Sequence, residues 1–298
     1  MWRLAFALYV LCPAAGSGQA GAIPGRDLLA FPLSLSAEPA TLGTLAGNGL
    51  WNPATVCLPD SGRWRLSAAS MSAPTDISVS AQVGSIAGSW RRTTFAITVA
   101  RAAVNGLLRT DSDPQAVGND LTYSTLVISA LAARRLTPHL VGGIALRSRN
   151  GQLDEVNRTG FSIDAGVIAE HLTALDARLG ASTFLFSPWA GSRERPSWLL
   201  GADARIVGAD STRTVRAGYA LQSTQGLSTE HYVFAAARWG PFEARGGPVH
   251  TEIFGASNWR TRLGVAVRRG GYAVGIAREE SANGLERTIY FSLSSVLK

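Results

Sequence analysis

From Arg63 to the end of the chain, apolar residues alternate with small, polar or charged ones in one short run after another. The stretch "RLGVAVRRGGYAVGIAR", residues 262–278, is the clearest case. Leu263, Val265 and Val267 alternate with Arg262, Gly264, Ala266 and Arg268; Gly270-Gly271 makes a turn, and Tyr272, Val274 and Ile276 resume the alternation. Period two with a Gly-Gly turn is a β-hairpin. One of its faces is apolar, and the other carries small residues and arginine, a poor filling for a dry core.

The same reading predicts fourteen strands, at 63–72, 76–86, 92–103, 120–133, 138–148, 158–169, 174–186, 197–207, 213–222, 231–238, 242–250, 258–269, 271–279 and 286–296. Each has about the length of a tilted membrane-spanning strand. Tight connections ("AGSWR", "RLTP", "GADST", "WGP", "RGG") alternate with longer ones ("VNGLLRTDSDPQAVGN", "RSRNGQLDEV", "SPWAGSRERP", "STQGLSTE", "TEIFGASN", "EESANGL"). Sorting of turns to one end and loops to the other is a habit of outer-membrane barrels.

The expected lipid face includes Ile77, Val79, Ala81 and Val83; Phe95, Ile97 and Val99; Phe161, Ile163 and Val167; and Ile289, Phe291 and Leu293. The opposite face carries Ser80 and Gln82, Thr94 and Thr98, Asp164, Asp176, Arg178, Asp203, Arg205 and Arg216. Unpaired charges in a dry core cost several kcal/mol each, whereas a polar barrel interior tolerates them. Trp64, Trp90, Trp189, Trp198, Trp239 and Trp259 fall near strand ends, where an interfacial girdle would place them. A soluble sandwich would have fewer and shorter strands, and a propeller would show a repeat at a fixed period.

The N-terminus, "MWRLAFALYVLCPAAGSGQAGA", has Arg3, an apolar run from Leu4 to Leu11 and then small residues. That pattern fits a secretory signal over residues 1–22, cleaved after Ala20 or Ala22. Cys12 lacks the preceding small residue of a lipoprotein site, and Cys57 is then alone, so no intramolecular disulfide is expected.

Residues 23–62 do not alternate. They are rich in Pro, Gly and small residues, with a helix start at Ser36-Ala37-Glu38-Pro39 and breaks at Gly47, Gly49 and Asn52-Pro53. Thr41-Leu42-Gly43, then Asn52-Pro53-Ala54, then Trp64 through Ser70 opening the first strand, resemble the FadL-type outer-membrane barrels, most closely the PorV/PorQ-like branch. The resemblance implies a fourteen-stranded barrel, residues 63–298, with the N-terminal segment 23–62 inside it as a hatch. It further implies binding or porin-like passage of a hydrophobic small molecule such as a fatty acid. The alternative it carries is an accessory barrel that docks protein partners of a secretion system. The chain departs from the family in being short and in ending "YFSLSSVLK" rather than on an aromatic residue.

Within the hatch, Pro53 holds Asn52 toward extended backbone, so that the Asn52 side chain is free to bond neighbouring backbone. Asn52, Pro53 and Ala54 are therefore expected to fix the hatch to the wall. The expected lumen charge pairs are Asp176 with Arg178 and Asp203 with Arg205, on adjacent strands.

No catalytic or metal motif appears. Glu170-His171 and Glu230-His231 are strand neighbours pointing to opposite faces. Asp111, Asp113 and Asp120 lack calcium-loop spacing, and HExxH and GxSxG are absent. A rim lipid hydrolase using His231 is the remaining enzymatic alternative; the leading expectation is no enzyme, no cofactor and no metal. Net charge is +7, but the arginines are scattered singly, which argues against nucleic acid. The expected surroundings are the lipid of a Gram-negative-type outer membrane, with a hydrophobic ligand or a protein partner.

Overall fold

The structure, a computed structural model, describes residues 21–29, 38–43, 49–57, 63–73, 78–110, 116–189, 194–208, 213–253, 256–281 and 287–297. Fourteen antiparallel strands close into a barrel. In chain order they are β1 (Trp64–Ser72), β2 (Ser78–Trp90), β3 (Thr93–Asn105), β6 (Tyr123–Thr137), β7 (Leu140–Leu153), β8 (Val156–Ala169) and β9 (Arg178–Phe184). The remainder are β10 (Ser197–Val207), β11 (Arg213–Thr224), β12 (Ser228–Trp239), β13 (Phe242–Ile253), β14 (Ala256–Arg269), β15 (Tyr272–Ser281) and β16 (Arg287–Leu297). A small hairpin, β4 (Leu108–Thr110) and β5 (Ala116–Asp120), stands on the β3–β6 connection. Closure comes from β1 on β16, with Trp64 opposite Leu297 and Ser72 opposite Ile289, which leaves no free sheet edge.

The outer surface is the apolar face. Phe95, Ile97 and Val99, Phe161 and Ile163, Leu263 and Val265, and Phe291 and Leu293 are all exposed. Trp64, Trp90 and Trp239 ring the end that carries the tight hairpins, and Trp189, Trp198 and Trp259 ring the other. Aromatic residues at both edges of an apolar band mark where the two membrane interfaces lie.

Three expectations are corrected. On β2, Ala81 and Val83 point inward and are buried, while Gln82 faces out. The cause is the N-terminal segment, called the hatch only for its place in the lumen, which brings in an apolar surface of its own: Ala81 and Val83 pack in one cluster with Leu28, Leu29, Leu50 and Trp51. The second correction concerns loops. β7 and β8 pair as far as Leu153 opposite Val156, and β11 and β12 as far as Thr224 opposite Ser228, so "RSRNGQLDEV" and "STQGLSTE" are mostly strand. Apart from Leu153 and Val156 these strand ends are polar or glycine on both faces, and period-two hydrophobicity loses its contrast there. The third is β9, which starts at Arg178 rather than 174; the preceding residues make an irregular connection at the hairpin end.

Candidate functional site: the hatch, its seat and the two mouths

The described parts of residues 21–57 lie inside the barrel. Ser36, the expected helix cap, is outside the described residues, and the Pro39 carbonyl accepts from the Leu42 and Gly43 amides, making a single turn. Asp111 and Asp113 also lie outside the described residues.

Asn52 is fully buried and works in two directions. Its Oδ1 accepts from the Ala54 amide at 3.0 Å, capping a 3-10 turn over Pro53–Val56. Its Nδ2 donates to the Thr41 carbonyl at 2.9 Å, tying two hatch segments together, and to the Val167 carbonyl on β8 at 3.3 Å. Ser182 on β9 adds a hydrogen bond to the Trp51 carbonyl at 2.9 Å. Pro53 sets the turn, since its fixed φ suits the first position and its missing N–H is not needed there.

The wall meets this turn with glycine. A Cβ on Gly166 of β8 would lie 2.0 Å from Asn52 Oδ1, and one on Gly143 of β7 would lie 2.5 Å from the Ala54 nitrogen. The absence of side chains at these two positions lets hatch backbone and barrel backbone approach closely.

Arginines on the same side hold the rest of the hatch. Arg147 of β7 pairs with Asp164 of β8, both fully buried, and donates to Ser129 Oγ at 2.8 Å and to the Gly49 carbonyl at 3.1 Å. Asp164 also accepts from the Leu185 and Phe186 amides. Arg149 shares its Nε between the two Glu194 carboxylate oxygens at 2.8 and 3.0 Å and donates from its terminal nitrogens to the Pro24 and Ile23 carbonyls. Arg26 of the hatch donates to Arg195 O and Ser197 Oγ. Burial, with Arg149 adding to it, draws the Arg26 guanidinium down to about 10.

The residues Asp176, Arg178, Asp203 and Arg205 are brought near one another, but in different partnerships. Arg178 of β9 pairs with Asp203 of β10 across the strands, with Nε to Oδ1 at 2.9 Å. Asp176 sits before β9, outside the strand, and bonds Arg216 of β11 at 2.9 Å and His171. Burial works against the charged Asp176, yet hydrogen bonds from Arg216 and His171 prevail and hold its carboxyl below the ordinary range. Arg216 also bonds Asp203 at 2.7 Å, whereas Arg205 has no carboxylate partner among the described residues. The register explains this, because Arg205 stands opposite Arg216.

On the far wall Arg260 and Arg262 of β14 pair with Glu230 of β12 and Glu279 of β15. Glu38 of the hatch reaches Arg245 of β13 at 2.8 Å. Sequence reasoning missed Arg147, Arg149, Gly143 and Gly166. Inward-phase arginine and glycine on neighbouring strands was the available signal. His231, the residue expected for a rim hydrolase, bonds the Tyr219 hydroxyl at 2.6 Å on the outer face, with the His250 ring tilted beside it.

Two mouths flank the hatch. At the loop end a cavity of about 350 Å³ lies over Ile23, Pro24 and Arg26, bordered by Tyr123, Leu153 and Leu227. At the hairpin end another of about 430 Å³ lies beneath Glu38, Pro39 and Leu42.

No family model and no curated protein sequence matches the chain. Solved structures do. The Pseudomonas putida toluene transporter TodX superposes with a TM-score of 0.59 at 11% identity, over 89% of this chain and 95% of that one. The CymD monoaromatic hydrocarbon channel gives 0.64 at 11% identity, over 94% and 99%. The Ralstonia pickettii toluene transporter TbuX gives 0.57 at 12%, over 89% and 97%. The class is therefore an outer-membrane-type fourteen-stranded β-barrel. Within that class the chain shares the barrel fold of these hydrocarbon-transporting proteins, with the described segments of residues 21–57 inside the lumen.

Proposed function

We propose that this protein admits a hydrophobic small molecule across the outer membrane of a Gram-negative-type bacterium, with the hatch as the gate. The observation that carries the reading is the lumen cluster of Met71, Val83, Val127, Phe184 and Leu199 packed on Leu28, Leu29 and Trp51 of the hatch. A water-filled pore has no use for an apolar layer across its interior, whereas a neutral apolar solute partitions into one. Toluene and other monoaromatic hydrocarbons, the cargo named for the similar barrels, are the preferred candidates. The loop-end cavity of about 350 Å³ sits at the small end of ligand sites and favours a compact molecule over a long fatty acid.

The test is uptake of radiolabelled toluene and of a long-chain fatty acid by cells with and without the protein. Faster toluene entry that depends on the protein supports the reading. Equal entry of both, with and without it, overturns the reading and leaves the PorV/PorQ-like role of docking a protein partner. That role would then require a partner that co-purifies with the intact barrel.

A further inference from the structure

At the hairpin end of β11–β14, two cavities border on the same four residues, Thr214, Ala237, Arg238 and Glu243. The outer one, about 580 Å³, lies on the membrane face among Val215, Trp239, Phe242, Val265 and Val267. The inner one, about 430 Å³, is the vestibule beneath the hatch.

The charge of the vestibule is unbalanced. Its described lining holds six arginines against four carboxylates, Glu38, Asp176, Asp203 and Glu243. Each carboxylate already has two partners: Asp203 takes Arg178 and Arg216, Asp176 takes Arg216 and the His171 ring, and Glu38 and Glu243 each take Arg245 and Arg268. Arg205 and Arg238 have no carboxylate partner among the described residues, and Arg238 spends its Nε on the Gly240 carbonyl. Arg245 Nε is buried in the same region without a hydrogen-bond partner. Arg213 lies 4.6 Å over the Trp239 ring at the edge of the outer groove. A neutral hydrocarbon gains nothing from this excess of cations. An oxyanion does, because guanidinium groups bind phosphate through paired, charge-assisted hydrogen bonds.

We propose that this edge seats an anionic phospholipid, its acyl chain in the outer groove and its phosphate drawn to Arg238 and Arg205. Apolar groove and basic vestibule meeting at Arg238 match the two ends of one amphiphile. The proposal rests on the lining of the hairpin-end mouth and not on the identity of the cargo, so it stands or falls independently of that reading.

The test uses the full barrel purified in detergent, with native mass spectrometry after mixing with phosphatidylglycerol, with phosphatidylcholine of the same chains, or with inorganic phosphate. Phosphatidylglycerol is expected to be retained over phosphatidylcholine. The double variant Arg205→Gln/Arg238→Gln should weaken its retention about tenfold, as loss of charge-assisted bonds implies. Ala237→Trp, which fills the groove, should weaken the lipid and leave inorganic phosphate unaffected. Equal retention of the two lipids with no response to the double variant overturns the proposal. So does binding of inorganic phosphate alone, with lipid retention indifferent to Ala237→Trp, since that describes an oxyanion site without a lipid. Boil-dependent mobility of each variant on an SDS gel verifies that the barrel has formed.

Discussion

The two sides of the inner wall handle the hatch differently. On the β7–β9 side, Gly143 and Gly166 give up side chains so that Asn52-Pro53-Ala54 lies against bare backbone, and Arg147 and Arg149 reach hatch carbonyls. On the β12–β15 side, Glu230, Arg260, Arg262 and Glu279 spend their charges on one another across the strands. The first side is a seat and the second a stiffened wall. The second side still touches the hatch through Arg245 and Glu38, but only the first meets it with bare backbone and donors to its carbonyls, which is why we place the anchor of the proposed gate at the turn around Asn52.

Cys57 makes the comparison measurable, because its half-buried thiol ends the 3-10 turn and reports on hatch displacement. Burial pushes that thiol up, so labelling of the seated hatch is slow. The largest effect is expected from Gly166→Leu, which forces the hatch from its seat while the barrel keeps its boil-dependent gel shift. Thiol labelling should rise about tenfold or more, as for a segment that opens locally. Unchanged labelling would mean that the seat does not hold the hatch.

Arg147→Met comes next. It strands Asp164 without its cation, and breaking a buried pair from one side costs about 3–5 kcal/mol. Urea unfolding in lipid vesicles should register the loss, together with faster Cys57 labelling. Glu279→Gln on the other wall should lower barrel stability by about 1.5–3 kcal/mol, the scale of hydrogen bonds to charged groups, and leave Cys57 labelling alone. If labelling rises there too, the division between seat and wall is wrong. Asn52→Ala removes the cap and the tie to β8, at about 1–2 kcal/mol, and is read by the same labelling.

The smallest effect concerns pH. The Asp176 carboxyl is depressed in the folded protein, so its contribution is fully present above the ordinary carboxylate pKa and fades as pH falls through the lower, folded value. Asp176→Asn should lower thermal stability slightly near neutrality and leave it unchanged at low pH, so that the acid limb of the profile flattens. An unchanged acid limb would show that the link to Arg216 contributes nothing measurable.

Some of this was legible without coordinates. Strand count, closure and the outward face followed from alternation, because a lipid-facing wall demands an apolar residue at every second position whatever the neighbours do. Leu263 to Ile276 show it, and so do the tryptophans at the two rims. The "NPA" phrase is marked by its position ahead of the first strand and by the chemistry of Asn before Pro. The inward face was less readable, since what an inward residue meets depends on strands far apart in sequence. Ala81 and Val83 turned inward because Leu29 and Trp51 wait there, and a local pattern carries no information about a hatch folded into the lumen.

The sequence by itself determined a closed barrel with a non-alternating segment before it, because hydrophobic periodicity is written residue by residue. Only the tertiary structure decided that Arg178 takes Asp203, that Asp176 takes Arg216, and that Arg205 is left beside another arginine. Partnership inside a barrel is set by register between strands and by what fills the middle. Both are properties of the closed wall rather than of any one of its strands.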